Sequence, residues 1–158
     1  MSTQSSGKQS LIGTAVFLLR PNGSFLVGHR VGKHATDTWG LVGGHPEFAE
    51  DPLDAVCRET REETGLRIYP EDTHFAGYSS DVFSDSNKHY VTFFFIARVD
   101  ADAQPKLAEP DKIDEWRWVF YDELPENIFP ALQGFLNKIG PNGLRHMIAT
   151  APRMANAA

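Results

Sequence analysis

Three glutamates near the end of a predicted helix are the residues of this chain best placed to do chemistry. Glu59, Glu62 and Glu63 are three and four positions apart, so on a helix their carboxylates share one face. Like charges at those spacings destabilise a helix by roughly 0.2–0.5 kcal/mol per pair, and the negative end of the helix dipole adds a second penalty. A bound divalent cation would offset both penalties. The alternative is a solvated acidic face with Arg58 and Arg61 as its partners.

Oxygen ligands on one helix face favour Mg²⁺, with Mn²⁺ as a substitute. Mg²⁺ usually keeps several water molecules and is bound through a few carboxylates together with the phosphate oxygens of a substrate. Such an ion neutralises phosphate charge and lowers the pKa of a bound water. The acidic face therefore predicts a metal site that is completed by a phosphorylated substrate.

The helix that carries the glutamates has start and stop signals in the sequence. Asp51 followed by Pro52 predicts the N-cap and the first helical residue, and Gly65 predicts the C-cap. We therefore expect a helix over residues 51–64, preceded by a strand end and a glycine-rich loop at 41–46. Its predicted core stripe, at helical spacing, consists of Leu53, Cys57, Thr60 and Thr64.

The segment from Gly44 to Leu66 carries a family resemblance. Its fixed positions reproduce the Nudix box, and they are Gly44, Glu50, Arg58, Glu59, Glu62, Glu63, Gly65 and Leu66. The one departure is Thr60, where a larger aliphatic residue is usual. Further stretches extend the resemblance over roughly residues 10–140, at 25–30, 39–48, 109–112 and 115–118. The chain thus resembles the MutT-type nucleotide pyrophosphohydrolase subgroup of the Nudix hydrolases.

The resemblance implies an α/β (α+β) fold in which a mixed β-sheet is sandwiched between α-helices. It also implies a Mg²⁺-dependent hydrolase, assembled as a homodimer, that cleaves a nucleoside triphosphate or modified nucleotide to the monophosphate and pyrophosphate. Alternative substrates are nucleoside diphosphate-sugars or another diphosphate-linked molecule, such as a terpenoid diphosphate. The alternative that is not an enzyme is a sensor that binds a nucleotide without hydrolysing it.

The resemblance also assigns roles within the box. Glu59, Glu62 and Glu63 are the expected catalytic and metal-binding residues, with Glu63 preferred as the general base. The Gly43 carbonyl and Glu109 are additional candidate metal ligands, and the favoured alternative for Glu109 is a solvated acidic residue of the loop. The expected structural positions of the box, including a charged hydrogen bond that joins loop and helix, are Gly44, Glu50, Arg58 and Gly65. Direct phosphate binding by Arg58 is the less favoured interpretation.

Residues outside the acidic face are expected on the substrate side. Arg30 matches a position that faces the substrate phosphates in the subgroup, and the alternative is an exposed arginine at a strand end. Gly44 and His45 belong to the glycine-rich loop and are expected near the phosphates. Phe129 precedes Pro130 where the subgroup often stacks an aromatic ring on the base, with ordinary core packing as the alternative.

Composition sets limits on partners and location. A chain of 158 residues is long enough for one domain with a sizeable core. The net charge of −6 disfavours a nucleic-acid polymer as partner. Cys57 is the only cysteine, which excludes an intrachain disulfide. The apolar run at 11–19 is too short to span a membrane, so we expect a cytoplasmic protein with no membrane partner.

The predicted organisation is a mobile tail at 1–9, a Nudix domain at 10–141 and a C-terminal extension at 142–158. After the first strand, which is expected to end at Arg20, the alternation of apolar residues predicts further strands. They lie at 25–30, 67–69, 73–83, 90–99 and 115–121. Apolar residues at helical spacing predict a second helix over 129–139, and the residues after Pro141 have no assigned structure.

Overall fold

A computed structural model describes residues 7–155 and shows a seven-stranded sheet with two long helices. The strands are β1 (Gln9–Leu19), β2 (Phe25–Arg30), β3 (Thr38–Gly40), β4 (Val42–Gly44), β5 (Thr73–Phe83), β6 (Lys88–Arg98) and β7 (Ile113–Val119). The helices are α1 (Pro52–Thr64) and α2 (Pro130–Thr150), with short 3-10 turns at Pro70–Asp72, Ser84–Ser86 and Tyr121–Glu123.

The sheet is mixed, as predicted. The order of its main path is β3-β2-β1-β6-β5, with β4 paired to β1 and β7 paired to β2. The pairing of β1 with β6 is parallel, and all other pairings are antiparallel. β6 is therefore an inner strand, which explains why its sequence is almost continuously apolar.

One helix packs on each face of this sheet, which confirms the predicted sandwich. Val56 of α1 packs with Val16 and Phe95 in one buried cluster. Leu132 and Phe135 of α2 belong to the cluster on the opposite face. Alternate residues of β1 and β6 supply both clusters, because successive side chains of a strand point to opposite faces.

The core stripe of α1 is close to the predicted one. Thr60 and Thr64 are fully buried, and Leu53 and Cys57 pack against the cluster at its edge. The hydroxyl of Thr60 donates to the Val56 carbonyl at 2.7 Å. This bond satisfies the buried hydroxyl at the position where a larger aliphatic residue is usual.

Three predicted elements differ from the structure. Residues 67–69 are not a strand, because they lead directly into the 3-10 turn that starts at Pro70. The second helix does not end at 139, because Pro141 occupies the first turn of a further helical stretch after a kink at Gly140, whose φ is +69°. The first strand already starts at Gln9, inside the predicted tail, and residues 1–6 lie outside the described residues.

Among residues 7–155, none of the helices has the length and apolar character needed to cross a membrane.

Candidate active site

Helix α1 starts and ends where its local signals predict. Asp51 is the N-cap, and its Oδ1 accepts from the backbone N–H of Leu53 at 2.8 Å. Gly65 is the C-cap with a left-handed φ of +73°. These two ends fix the register of the helix, and therefore the direction in which each glutamate points.

Glu59 and Glu63 both line one cavity of about 440 Å³ beside the sheet. Burial is the largest cause that raises the pKa of Glu63 to about 8, followed by the charges of Glu59 and Glu109. Burial likewise raises the pKa of Glu59. Two desolvated carboxyl groups thus face each other one helical turn apart, an arrangement that favours protonation or a bound cation.

The backbone of β4 closes against these carboxyl groups. A Cβ atom at Gly44 would lie 2.4 Å from Cδ of Glu59, and one at Gly43 would lie 1.9 Å from the Thr14 carbonyl oxygen. The backbone N–H of Gly43 donates to Glu63 and partly opposes the rise of its pKa. Gly43 is therefore required by close approach to the backbone of β1, whereas a side chain at Gly44 would displace the carboxylate of Glu59.

Arg58 joins the helix to the preceding loop. Its Nε and Nη2 donate to the two carboxylate oxygens of Glu50 at 2.8 and 2.9 Å, and Nη2 also donates to the His45 carbonyl at 3.1 Å. The side-chain hydrogen bond from Arg58 lowers the pKa of Glu50 to about 2. This is the predicted charged hydrogen bond between loop and helix.

The other two predicted acidic ligands are engaged elsewhere. Glu62 does not line the cavity; its carboxylate accepts from Nη1 of Arg58 at 3.0 Å, and its side chain is 46% exposed. Glu109 accepts from Lys112 at 2.8 Å and does not line the cavity, although its charge contributes to raising the pKa of Glu59 and Glu63.

The carboxylates of Glu59 and Glu63 suit a divalent cation, although they supply only part of its coordination shell. Among residues 7–155, no three histidine, cysteine, aspartate or glutamate side chains converge on one metal position. Glu59 and Glu63 are the two that meet, and their repulsion is the kind that a hard cation relieves. The remaining ligands of a Mg²⁺ ion are commonly water and substrate oxygens.

Arg30 lines the same cavity and faces Glu63. Its guanidinium lies 4.4 Å from the centre of the Phe129 ring, and its contact with the His34 carbonyl is long, at 3.4 Å. Within the part of the chain that the structure describes, its buried Nε has no hydrogen-bond partner. A buried, poorly partnered guanidinium is suited to bind an anion.

Part of the cavity wall is aromatic, a feature the sequence did not reveal. The ring of His34 lies 5.1 Å from Phe83, 5.9 Å from Tyr90 and 6.0 Å from Phe129. His45 Nε2 lies 3.3 Å from the Tyr90 hydroxyl. Burial lowers the pKa of both histidines, which favours their neutral forms. No local signal marked His34, Phe83 or Tyr90.

The chain is similar to known hydrolases. The sequence profile of the NUDIX domain matches residues 10–139. An RNA pyrophosphohydrolase of Rhodospirillum rubrum is 28% identical over 131 residues, covering 75% of this chain and 77% of that protein. The crystal structure of a MutT NUDIX hydrolase from Burkholderia pseudomallei is 25% identical with a TM-score of 0.75, covering 84% of this chain and 100% of the other.

A more distant structure carries ligands. It is a bifunctional NMN adenylyltransferase/ADP ribose pyrophosphatase from Francisella tularensis, complexed with AMP and a manganese ion. It is 18% identical, with a TM-score of 0.57, and the match covers 78% of this chain and 37% of that chain. At this identity the likeness concerns the fold alone. The profile match over most of the chain shows that this protein belongs to the NUDIX family.

Proposed function

We propose that this chain is a Mg²⁺-dependent hydrolase that cleaves the phosphoanhydride of a nucleoside triphosphate or modified nucleotide to the monophosphate and pyrophosphate. The observation that carries the proposal is one cavity lined both by buried carboxyl groups and by a buried cation. Glu59 and Glu63 supply the carboxyl groups, and Arg30 supplies the cation beside an aromatic wall. A divalent cation on the glutamates and a phosphorylated nucleotide against Arg30 would satisfy both.

Glu59 and Glu63 would hold the cation, with the Gly43 carbonyl and Glu109 as further ligands. When bound, Mg²⁺ (or Mn²⁺ in its place) supplies charge neutralisation for the phosphate oxygens and lowers the pKa of a bound water. Glu63 then accepts a proton from the attacking water as its oxygen bonds to phosphorus and the anhydride P–O bond breaks. Glu62, which accepts a hydrogen bond from Arg58, would orient a coordinated water molecule or help to hold α1 in position.

The substrate would lie against the remaining wall. Arg30 binds phosphate oxygens, because its buried guanidinium has almost no partner within the protein. Gly44 and His45 border the phosphates, and Phe129 stacks on the base with its ring already fixed by Arg30. Glu50, Arg58 and Gly65 hold the loop and helix in place.

A 5′-triphosphorylated RNA is a second candidate substrate, and the named activity of the Rhodospirillum rubrum relative favours it. Its 5′-triphosphate contains the same kind of phosphoanhydride bond as a free nucleoside triphosphate. The net charge of −6 disfavours it, because extended contact with a polymer backbone requires basic surface. We further propose a homodimer in the cytoplasm, and light scattering after size exclusion tests the assembly.

A product assay on purified protein with Mg²⁺ tests the function. The panel contains common and oxidised nucleoside triphosphates, nucleoside diphosphate-sugars, a prenyl diphosphate and a 5′-triphosphorylated oligonucleotide, with pyrophosphate and phosphate scored separately. Pyrophosphate from free triphosphates supports the proposal. Preference for the oligonucleotide or a sugar moves the assignment to that class. Tight nucleotide binding without any product would instead identify a sensor.

A further inference from the structure

The imidazole of His29, at the end of β2, contacts a carboxylate at each ring nitrogen. Its Nδ1 lies 2.7 Å from Oδ1 of Asp114, and its Nε2 lies 2.9 Å from Oδ1 of Asp37. An ionised carboxylate only accepts hydrogen bonds, and a neutral imidazole donates through one nitrogen alone. Both contacts are hydrogen bonds only when the ring is an imidazolium. The geometry is that of one cation bridging two anions.

The two aspartates belong to two separate segments that both contribute residues to the cavity wall. Asp37 ends loop 31–37, and this loop contributes Lys33 and His34 to the cavity wall. Asp114 stands near the start of β7, directly after the turn that carries Glu109. His29 therefore connects a loop on the substrate side with the segment that follows a candidate metal ligand.

The backbone of loop 31–37 needs support from outside. Ala35 and Asp37 have φ values of +50° and +63°, in the left-handed region that residues with side chains rarely adopt. Such backbone persists where its surroundings hold it. The backbone N–H of Asp37 donates to the Arg30 carbonyl at 2.8 Å, and its carboxylate accepts from His29. Loss of the second contact leaves no side-chain hydrogen bond on Asp37 within residues 7–155, although Thr38 still pairs with Arg30 and donates to the Ala35 carbonyl at 2.6 Å.

We propose that His29 is a positioning residue, whose imidazolium holds loop 31–37 against β7 and so fixes Lys33 and His34 in the cavity wall for substrate binding. The inference rests on the proposed function for its kinetic consequence. The placement of the loop itself is independent of that function. His29 touches neither the cavity nor the glutamates, so its effect falls on substrate affinity.

The charges near His29 determine the pH range in which its ring is protonated and bonded to both Asp37 and Asp114. The hydrogen bonds to Asp37 and Asp114 are the largest causes that raise the pKa of His29 above its ordinary 6.5. On β7, Arg117 pairs with Glu115 at 2.9 Å and lies 4.3 Å from the centre of the Trp39 ring. That ring lies 5.0 Å from the ring of His29. The contact is complete below pH 6.5 and is lost as pH rises through the raised pKa.

Steady-state kinetics from pH 6 to 9 test whether His29 positions loop 31–37. The substrate is the nucleoside triphosphate that is hydrolysed fastest in the panel above. We expect His29→Gln to raise KM about two- to fivefold at pH 6.5, the size typical of half-exposed ion pairs, with kcat unchanged. In the wild type, KM rises towards alkaline pH. His29→Arg keeps a permanent charge that can bridge two carboxylates, so its KM stays low across the range. The control His146→Gln, at an exposed site on α2, behaves as wild type.

Two readouts do not depend on catalysis. Trypsin should cut after the exposed Lys33 faster in His29→Gln than in wild type, His29→Arg or His146→Gln at the same pH. NMR titration should give His29 a pKa above 6.5 that falls in Asp37→Asn.

Unchanged KM and unchanged cleavage in a folded His29→Gln would overturn the proposal, as would a His29 pKa at or below 6.5. If His29→Gln does not fold, the same comparison is made with Asp37→Asn and His29→Arg. If nothing in the panel is hydrolysed, the proposed function fails, while cleavage and titration still decide the role of His29.

Discussion

The carboxyl group of Glu59 packs directly against the backbone of Gly44, so closely that a Cβ atom at Gly44 would lie 2.4 Å from Cδ of Glu59. The overlap involves the far end of a flexible side chain, and therefore a methyl group would displace the carboxylate without breaking the fold. Gly44 thus determines where the carboxylate of Glu59 can lie.

Gly44→Ala should lower kcat by roughly 10- to 100-fold, because a displacement of about 1 Å in a catalytic group costs that much. The melting temperature should stay near the wild-type value. Gly7→Ala is the matched control, since a Cβ atom there meets nothing within 4 Å. Full activity in Gly44→Ala would show that the position of Glu59 is unimportant.

Arg30→Lys should raise KM about tenfold or more, because hydrogen bonds to charged groups contribute roughly 1.5–3 kcal/mol and lysine cannot pair bidentately with phosphate. Arg20→Lys is the control. Arg20 also stacks on an aromatic ring, at 3.9 Å from the centre of Trp118, but it does not line the cavity. Equal KM values in the two variants would remove Arg30 from phosphate binding.

Divalent metal should stabilise the protein through Glu59 and Glu63. We expect a thermal shift with Mg²⁺ or Mn²⁺ that is lost in Glu59→Gln and largely kept in Glu62→Gln, because Glu59 lines the cavity whereas Glu62 is 46% exposed outside it. Titration after EDTA treatment measures both shifts. Loss of the shift in Glu62→Gln alone would assign the metal to Glu62 outside the cavity.

Glu63 should make the metal-free protein less stable as pH rises. Below pH 4.5 the carboxyl is protonated in both states, but between 4.5 and about 8 only the unfolded state releases the proton. The free energy of unfolding then falls by up to about 1.4 kcal/mol per pH unit for this group. Urea unfolding in EDTA at pH 5–8 should show a smaller slope in Glu63→Gln. Parallel curves for the two proteins would contradict a buried, protonated Glu63.

Local signals made α1 and its acidic face predictable. Asp51 and Gly65 mark the helix ends by their own side chain and backbone preferences, and the register between them orients the glutamates. The sequence did not reveal that Glu59 and Glu63 line the cavity while Glu62 does not, although Arg58 donates to both Glu59 and Glu62 at 3.0 Å. That division depends on the position of β4, which is set by its pairing with β1.

The aromatic wall could not be predicted because it is assembled over long sequence distances. His34 comes from a loop, Tyr90 from β6 and Phe129 from the residue before α2. The second half of α2 was missed for a local reason. Gly140 and Pro141 are typical of a helix end, yet here the proline lies in the first turn of a continuing stretch that buries Leu144.

The most direct test of the central claim is the turnover of Glu63→Gln with the best substrate and Mg²⁺, alongside nucleotide binding by the same variant. The account predicts a folded protein that still binds nucleotide and whose kcat is lower on the order of 10²–10⁴-fold, the usual contribution of a general base. Unchanged kcat in Glu63→Gln would contradict the assignment of this buried carboxylate to the reaction.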